Sequence, residues 1–159
     1  MGAGKSAVGR QLGRLMHLNF VDSDEEIEER TGVDIPFIFE KEGEEGFRTR
    51  EVKVIDELSQ RQGIVLATGG GAVLDAESRS RLGARGFVVY LHTTVQQQLD
   101  RTRRGRNRPL LEGGGDREQI LEVLMTARDP LYREIADLTV ETDGRRVQAV
   151  ARDIVDAFG

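Results

Sequence analysis

The sequence predicts an α/β fold in which a parallel β-sheet carries helices on both sides, three layers in all. Three observations point there. A glycine-rich turn, Gly2-Ala3-Gly4-Lys5-Ser6, runs straight into a helical pattern, with Val8, Leu12, Leu15 and Met16 recurring on one face. Ile64-Val65-Leu66-Ala67 is a continuous apolar run, as expected of a strand buried on both faces. Helical and strand patterns then alternate to the end of the chain, the order that builds parallel sheets.

The elements follow in order. The first helix runs from Lys5 to His17, and a short strand covers Asn19 to Asp22. Ser23 with Glu26 three residues later reads as a capping box for a helix through Arg30, closed by Gly32. Pro36 starts another short helix, and Glu45 to Gln60 forms a longer one with Val52, Ile55 and Leu58 on one side. The strand at Ile64 to Ala67 ends in Gly69-Gly70-Gly71, and Phe87 to Leu91 repeats the strand pattern. Helices are expected at Ala76 to Leu82, Val95 to Arg103, Arg117 to Ile135 and Arg146 to Phe158, with a last strand at Leu138 to Thr142. No linker or repeat divides the 159 residues, so one domain spans 1–159. In sheets of this kind, ligands bind where strand C-termini meet helix N-termini.

Gly2 to Ser6 is the second half of the phosphate-binding pattern G-x-x-x-x-G-K-[ST], placed directly before a helix. Glycines let backbone N–H groups approach phosphate oxygens, Lys5 reaches the outer phosphates, and the Ser6 hydroxyl can ligate Mg2+. A flexible glycine-rich start is the alternative. The pattern's first glycine and the strand that feeds such a loop would fall ahead of Met1. That feeding strand is therefore expected to be missing.

Asp22 and Asp24 stand two residues apart at a strand end, an arrangement that points both carboxylates to one side. One can serve Mg2+ while the other orients and deprotonates a hydroxyl nucleophile. Capping of the next helix is the competing use of Ser23 or Asp24. Arg48 shares a helical stripe with Val52 and Ile55, and Arg128 shares one with Ile120 and Leu124, so both guanidinium groups face inward. Each needs an anion there, from a protein carboxylate or from a ligand, unless it snorkels to a helix edge. Gly69 to Gly71 permits close ligand approach or makes a tight turn.

Composition removes several classes. Cysteine is absent, which excludes disulfides and thiolate sites. No apolar run approaches the length of a membrane span, and the N-terminus carries no signal-peptide pattern, so the cytoplasm is expected. A net charge of −5 argues against general nucleic-acid or anionic-membrane binding. The cations are nevertheless mostly Arg, whose planar fork suits carboxylates and phosphates. Five of them crowd into Arg101-Thr102-Arg103-Arg104-Gly105-Arg106-Asn107-Arg108-Pro109, which is read as part of a lid at about 101–116. That lid would close over ATP. A solvated charge run and an RNA-binding strip are the alternatives, and no aromatics interleave for base stacking.

G-A-G-K-S, D-S-D, G-F-R, T-G-G-G, R-N-R-P-L-L and R-D-P-L-Y, in this order across essentially the whole chain, resemble the shikimate kinase family. The resemblance implies a P-loop fold like that of nucleoside monophosphate kinases, in which the missing strand is the central first one and four strands remain, with ATP and Mg2+ as cofactors and phosphorylation of the shikimate 3-hydroxyl on the route to chorismate. It implies that Gly2, Ala3, Gly4, Lys5, Ser6 and Ala7 hold the ATP phosphates, that Ser6 and Asp22 serve Mg2+, and that Asp24 binds shikimate hydroxyls as the base. Arg48 and Arg128 resemble the pair that clamps the shikimate carboxylate, with Gly70 touching substrate through its backbone. Arg108 resembles the lid arginine on the phosphates, and Arg101 and Arg145 resemble positions beside the adenine. Ala7 departs from the Thr often found after GKS. A monomer with no nucleic-acid or membrane partner is expected. The competing functions are a gluconate kinase-like enzyme and a nucleotide-binding protein without turnover.

Overall fold

In the computed structural model, residues 4–102 and 116–159 are described, apart from the side chains of 101 and 102. Helix α1 (Lys5–Met16) begins after Gly4, whose left-handed backbone (φ 77, ψ 27) turns the chain into the helix. Strand β1 (Asn19–Asp22) leads into α2 (Ser23–Thr31), which Gly32 closes at φ 75 as expected.

The start of α2 differs from the capping box. Asp22 is the N-cap, and its Oδ1 accepts from the N–H groups of Asp24 at 2.8 Å and Glu25 at 3.3 Å. An ionised carboxylate meets the positive end of a helix better than a hydroxyl does. Ser23 is instead fully buried and accepts from the Gly69 N–H at 3.3 Å, tying α2 to the glycine triplet.

The two helices expected after Pro36 and Glu45 lie within one span, α3 (Ile35–Leu58), capped by Asp34 and interrupted at Gly43. There the backbone is non-helical (φ 74, ψ −179), a conformation open to glycine. Strand β2 (Ile64–Ala67), a 3-10 turn at Ala72–Leu74 and α4 (Ala76–Arg85) follow, then β3 (Val89–His92), α5 (Val95–Thr102), α6 (Arg117–Ile135), β4 (Leu138–Glu141) and α7 (Val147–Phe158). β3 starts later than expected because Phe87 stays outside the strand and packs edge-on against Phe158 at 5.3 Å.

Parallel pairing is as expected. β1 lies beside β2 with Asn19 opposite Ile64 and Asp22 opposite Ala67. β3 lies beside β4 with Val89 opposite Leu138 and His92 opposite Glu141. Among the described residues these are two separate pairs. Successive side chains of β2 serve opposite cores, as strand alternation requires. Val65 joins Val8, Leu12, Val140, Val150, Ala151 and Ile154 under α1 and α7, whereas Leu66 joins Ile27, Ile35, Ile38, Phe47, Val54 and Leu58 under α2 and α3. Both cores thus press helices onto the sheet, and the C-terminal ends of β1 and β2 lie beside the N-termini of α1 and α2. Among the described residues, no helix is long and apolar enough to cross a membrane.

Candidate functional site

A cleft of about 1040 Å³ opens at this end of the sheet. Its polar lining includes Lys5, Ser6, Asp24, Arg48, Glu51 and Arg128, and it runs on along apolar residues of β2, β3 and α1. Of these polar residues, all but Glu51 are named by the sequence reading.

The α1 end is built for an anion. Gly4 provides no side-chain cap, and the first turn of α1 carries no acid, so its N–H groups and partial positive charge are left for a ligand. Lys5 lies 4.0 Å from the Asp24 carboxylate, both side chains about one-third exposed. Ser6 donates its hydroxyl to Asp22 Oδ2 at 3.2 Å. Asp22 is buried and divides its labour: Oδ1 caps α2, while Oδ2 faces Ser6.

The two acids converge by a route the strand argument does not describe. Asp22 ends β1, but Asp24 stands in the first turn of α2, so alternation along a strand does not align them. The tight strand-to-helix junction does, by bringing one carboxylate to Ser6 and the other to Lys5.

The arginines meet around Glu51, which the sequence reading missed. Arg48 Nη1 donates to Glu51 Oε1 at 2.8 Å, and Arg48 Nη2 lies 3.5 Å from Glu44. Glu51 is 2% exposed. Burial raises its pKa, opposed by the charge of Arg48 and its hydrogen bond, while the Asp24 charge adds to the rise and Arg128 again opposes it. The missed signal was available: Phe47, Glu51, Val54 and Leu58 form the buried stripe of α3, so a carboxylate stands on an apolar face one turn from Arg48. Arg128 is 4% exposed, inward as expected.

The glycine triplet forms the wall between these groups. A Cβ at Gly69 would stand 2.8 Å from Asp24 Oδ1 and 3.1 Å from Glu51 Oε2, and one at Gly71 would stand 2.3 Å from Arg48 Nη2. Close approach is therefore the reason for glycine at both positions. Tyr132 donates its hydroxyl to the Gly70 carbonyl, which anchors the middle of the triplet to α6. Tyr132 follows Arg128 by one turn, a spacing legible in R-D-P-L-Y, and its burial raises its pKa.

Other expected residues lie elsewhere. Arg145 does not line the cleft; its guanidinium binds Asp153 at 2.6 Å and the Glu141 carbonyl at 3.3 Å. Gly2, Ala3, Arg108, the Arg101 side chain and nearly all of the lid at about 101–116 fall outside the described residues. Among the described residues no cluster of three acids or histidines forms a metal cage. Ser6 and Asp22 still suit Mg2+, which is commonly held by one or two protein oxygens together with phosphate oxygens and water.

Comparisons with known proteins point to one family. The family model described as shikimate kinase matches residues 1–158. Shikimate kinase of Pasteurella multocida is 58% identical over 98% of this chain and 89% of its own length. Shikimate kinase 1 of Yersinia enterocolitica is 55% identical over 98% and 90%. Among solved structures, shikimate kinase from Acinetobacter baumannii in complex with shikimate superposes with a TM-score of 0.97 at 53% identity, covering 99% of this chain and 88% of that one. The enzyme from Aquifex aeolicus gives 0.85 at 34% identity, covering 99% and 91%.

Proposed function

Because the chain belongs to the shikimate kinase family, we propose that it is an ATP-dependent phosphotransferase that moves the γ-phosphate of ATP to the 3-hydroxyl of shikimate. The observation that carries this reading is one cleft with cations at two places, Lys5 at the start of α1 and the pair Arg48 and Arg128, with the carboxylate of Asp24 beside Lys5. Two separate cationic positions suit a substrate and a cosubstrate that are both anions. The relative in complex with shikimate, similar over nearly the whole chain, supports the choice of acceptor.

Each residue then has a task. The N–H groups at the start of α1, together with Gly2, Ala3, Ala7 and Lys5, hold the ATP phosphates. Arg48 and Arg128 grip the acceptor's carboxylate, which turns its ring so that the hydroxyl faces Asp24. Asp24 takes the hydroxyl proton as the acceptor oxygen bonds to the γ-phosphorus and the bond from that phosphorus to the β,γ-bridging oxygen breaks. Lys5 meets the charge that develops on the transferring group. Ser6 Oγ and Asp22 Oδ2 would hold Mg2+, which when bound offsets phosphate charge. Arg108, Arg101 and Arg145 are assigned to ATP by family resemblance alone, as is the lid at about 101–116. We place the enzyme in the cytoplasm as a monomer on the same footing.

We also assign a central parallel strand to the space between β2 and β3. These two strands lie on different sheets, and their side chains Val65, Leu66, Val89 and Leu91 line the inner part of the cleft. An extended apolar segment there would pair both edges and join the two pairs into one sheet. Fusing such a strand ahead of the Gly2 loop should raise the unfolding midpoint; no change would remove it from that space.

The function itself is tested by acceptor-dependent ADP release. Shikimate should drive it and gluconate should not; a preference for gluconate would place the chain with gluconate kinase-like enzymes. ATP uptake with no ADP from either acceptor would make it a binding protein.

A further inference from the structure

On the β3 side of α6, Tyr90 is 8% exposed, and its side chain meets three positions of that helix in succession. Its hydroxyl donates to Asp129 Oδ1 at 2.7 Å and lies 3.8 Å from Met125 Sδ, and its ring stands 4.7 Å from the Tyr132 ring. Residues 125, 129 and 132 follow i, i+4, i+7 spacing and so form one stripe along the helix. Arg133 completes the contact, donating to Asp129 Oδ2 at 2.9 Å with its guanidinium 5.7 Å from the Tyr90 ring centre.

This stripe borders the one that carries Arg128 and Tyr132 into the cleft. Pro130 stands in the same turn on another face of the helix, where it removes the N–H that would bond to the Thr126 carbonyl. The helix is weakened within the turn that must aim Arg128. A rotation of roughly 20° moves a side-chain tip on a helix about 5 Å in radius by about 2 Å. Displacements of that size matter to a two-point carboxylate grip.

We propose that Tyr90 and Asp129 are positioning residues: their hydrogen bond fixes the rotation of α6 about its own axis, so that Arg128 faces the acceptor and Tyr132 reaches the Gly70 carbonyl. The proposal rests on the reading of Arg128 as an acceptor-binding residue. It goes further by placing control of acceptor affinity on β3, in residues that are not assigned to substrate or to ATP.

The test measures dissociation constants of shikimate and of ATP by titration calorimetry for Tyr90→Phe, Asp129→Ala, Asp129→Asn and Arg128→Ala. Tyr90→Phe and Asp129→Ala should each weaken shikimate about 5-fold or more while ATP stays within about 2-fold, as for loss of one orienting hydrogen bond. Asp129→Asn keeps an oxygen for the Tyr90 proton and should return shikimate affinity to within about 2-fold of the parent. A merely structural role would lower both affinities together, or leave Asn no better than Ala, and either result overturns the proposal. If Arg128→Ala weakens shikimate but Tyr90→Phe and Asp129→Ala do not, this proposal alone fails. If Arg128→Ala itself leaves shikimate binding unchanged, the site reading fails and takes the proposal with it.

Discussion

Glu51 accepts from Arg48 at 2.8 Å across one turn of α3, yet the Glu51 side chain is 3% exposed while the Arg48 side chain keeps 21%. The pair is therefore lopsided: the acid bears most of the desolvation, and the base keeps a face toward the cleft. The guanidinium also packs closely against Gly71, which fixes its position in the cleft lining. Glu51 thus holds Arg48 in place without using up all of its donors.

The lopsided burial predicts a pH signature. Burial raises the Glu51 pKa above its ordinary 4.5. The folded protein then binds that proton more tightly than the unfolded chain does. Its contribution to stability is complete below 4.5 and is lost as pH rises through the higher folded value. Chemical unfolding of the parent and of Glu51→Gln across this window should show the parent losing ground as pH rises. A constant difference between the two would mean that Arg48 and Arg128 fully offset the burial.

Asp24→Asn should lower kcat by about 100-fold or more with little change in ATP affinity, because the amide cannot take the acceptor's proton. The amide keeps the shape of the carboxylate beside Lys5 and Gly69, so the fold should persist. Steady-state kinetics with calorimetric ATP binding checks both halves. An unchanged kcat would leave Asp24 a partner of Lys5 and nothing more.

Arg128→Ala should weaken shikimate binding by about 2 kcal/mol or more, the scale of a lost charge-assisted contact. ATP binding should hold, since Arg128 is assigned to the acceptor and Lys5 to the phosphates. The same change removes a countercharge from Glu51, so the Glu51 carboxylate should become still harder to ionise.

Much of this site could be read before any coordinates. The Gly4-Lys5-Ser6 turn and the inward arginines are local patterns, fixed by spacing along one element, and the acids Asp22 and Asp24 are neighbours in sequence although a strand-to-helix junction brings them together. What escaped depends on partners from elsewhere. Asp22 displaced Ser23 as the cap of α2 because Ser23 is drawn into a bond with Gly69, 46 residues away. Glu51 was passed over because an acid on an apolar stripe makes sense only beside a second cation, and Arg128 comes from another helix. Tyr132 gains its role from Gly70, a contact across 62 residues. The short helix expected from Pro36 and the longer one from Glu45 meet in one span whose interruption falls at Gly43.

Gly71→Ala isolates the role of the glycine wall. Gly71 has φ −90 and ψ 1, which alanine adopts without backbone strain, so the cost of the substitution is steric alone. Its new Cβ would stand 2.3 Å from Arg48 Nη2 and 2.4 Å from Cζ, too close for both to remain. The guanidinium is the movable partner, because it ends a flexible side chain, and it must swing off Glu51 or out of the cleft. Shikimate KM should rise about 10-fold, with ATP KM unchanged and the loss of stability near 1 kcal/mol, the low end for overpacking. Equal shikimate KM would show that Arg48 can yield without consequence, and the acceptor grip would then rest on Arg128 alone.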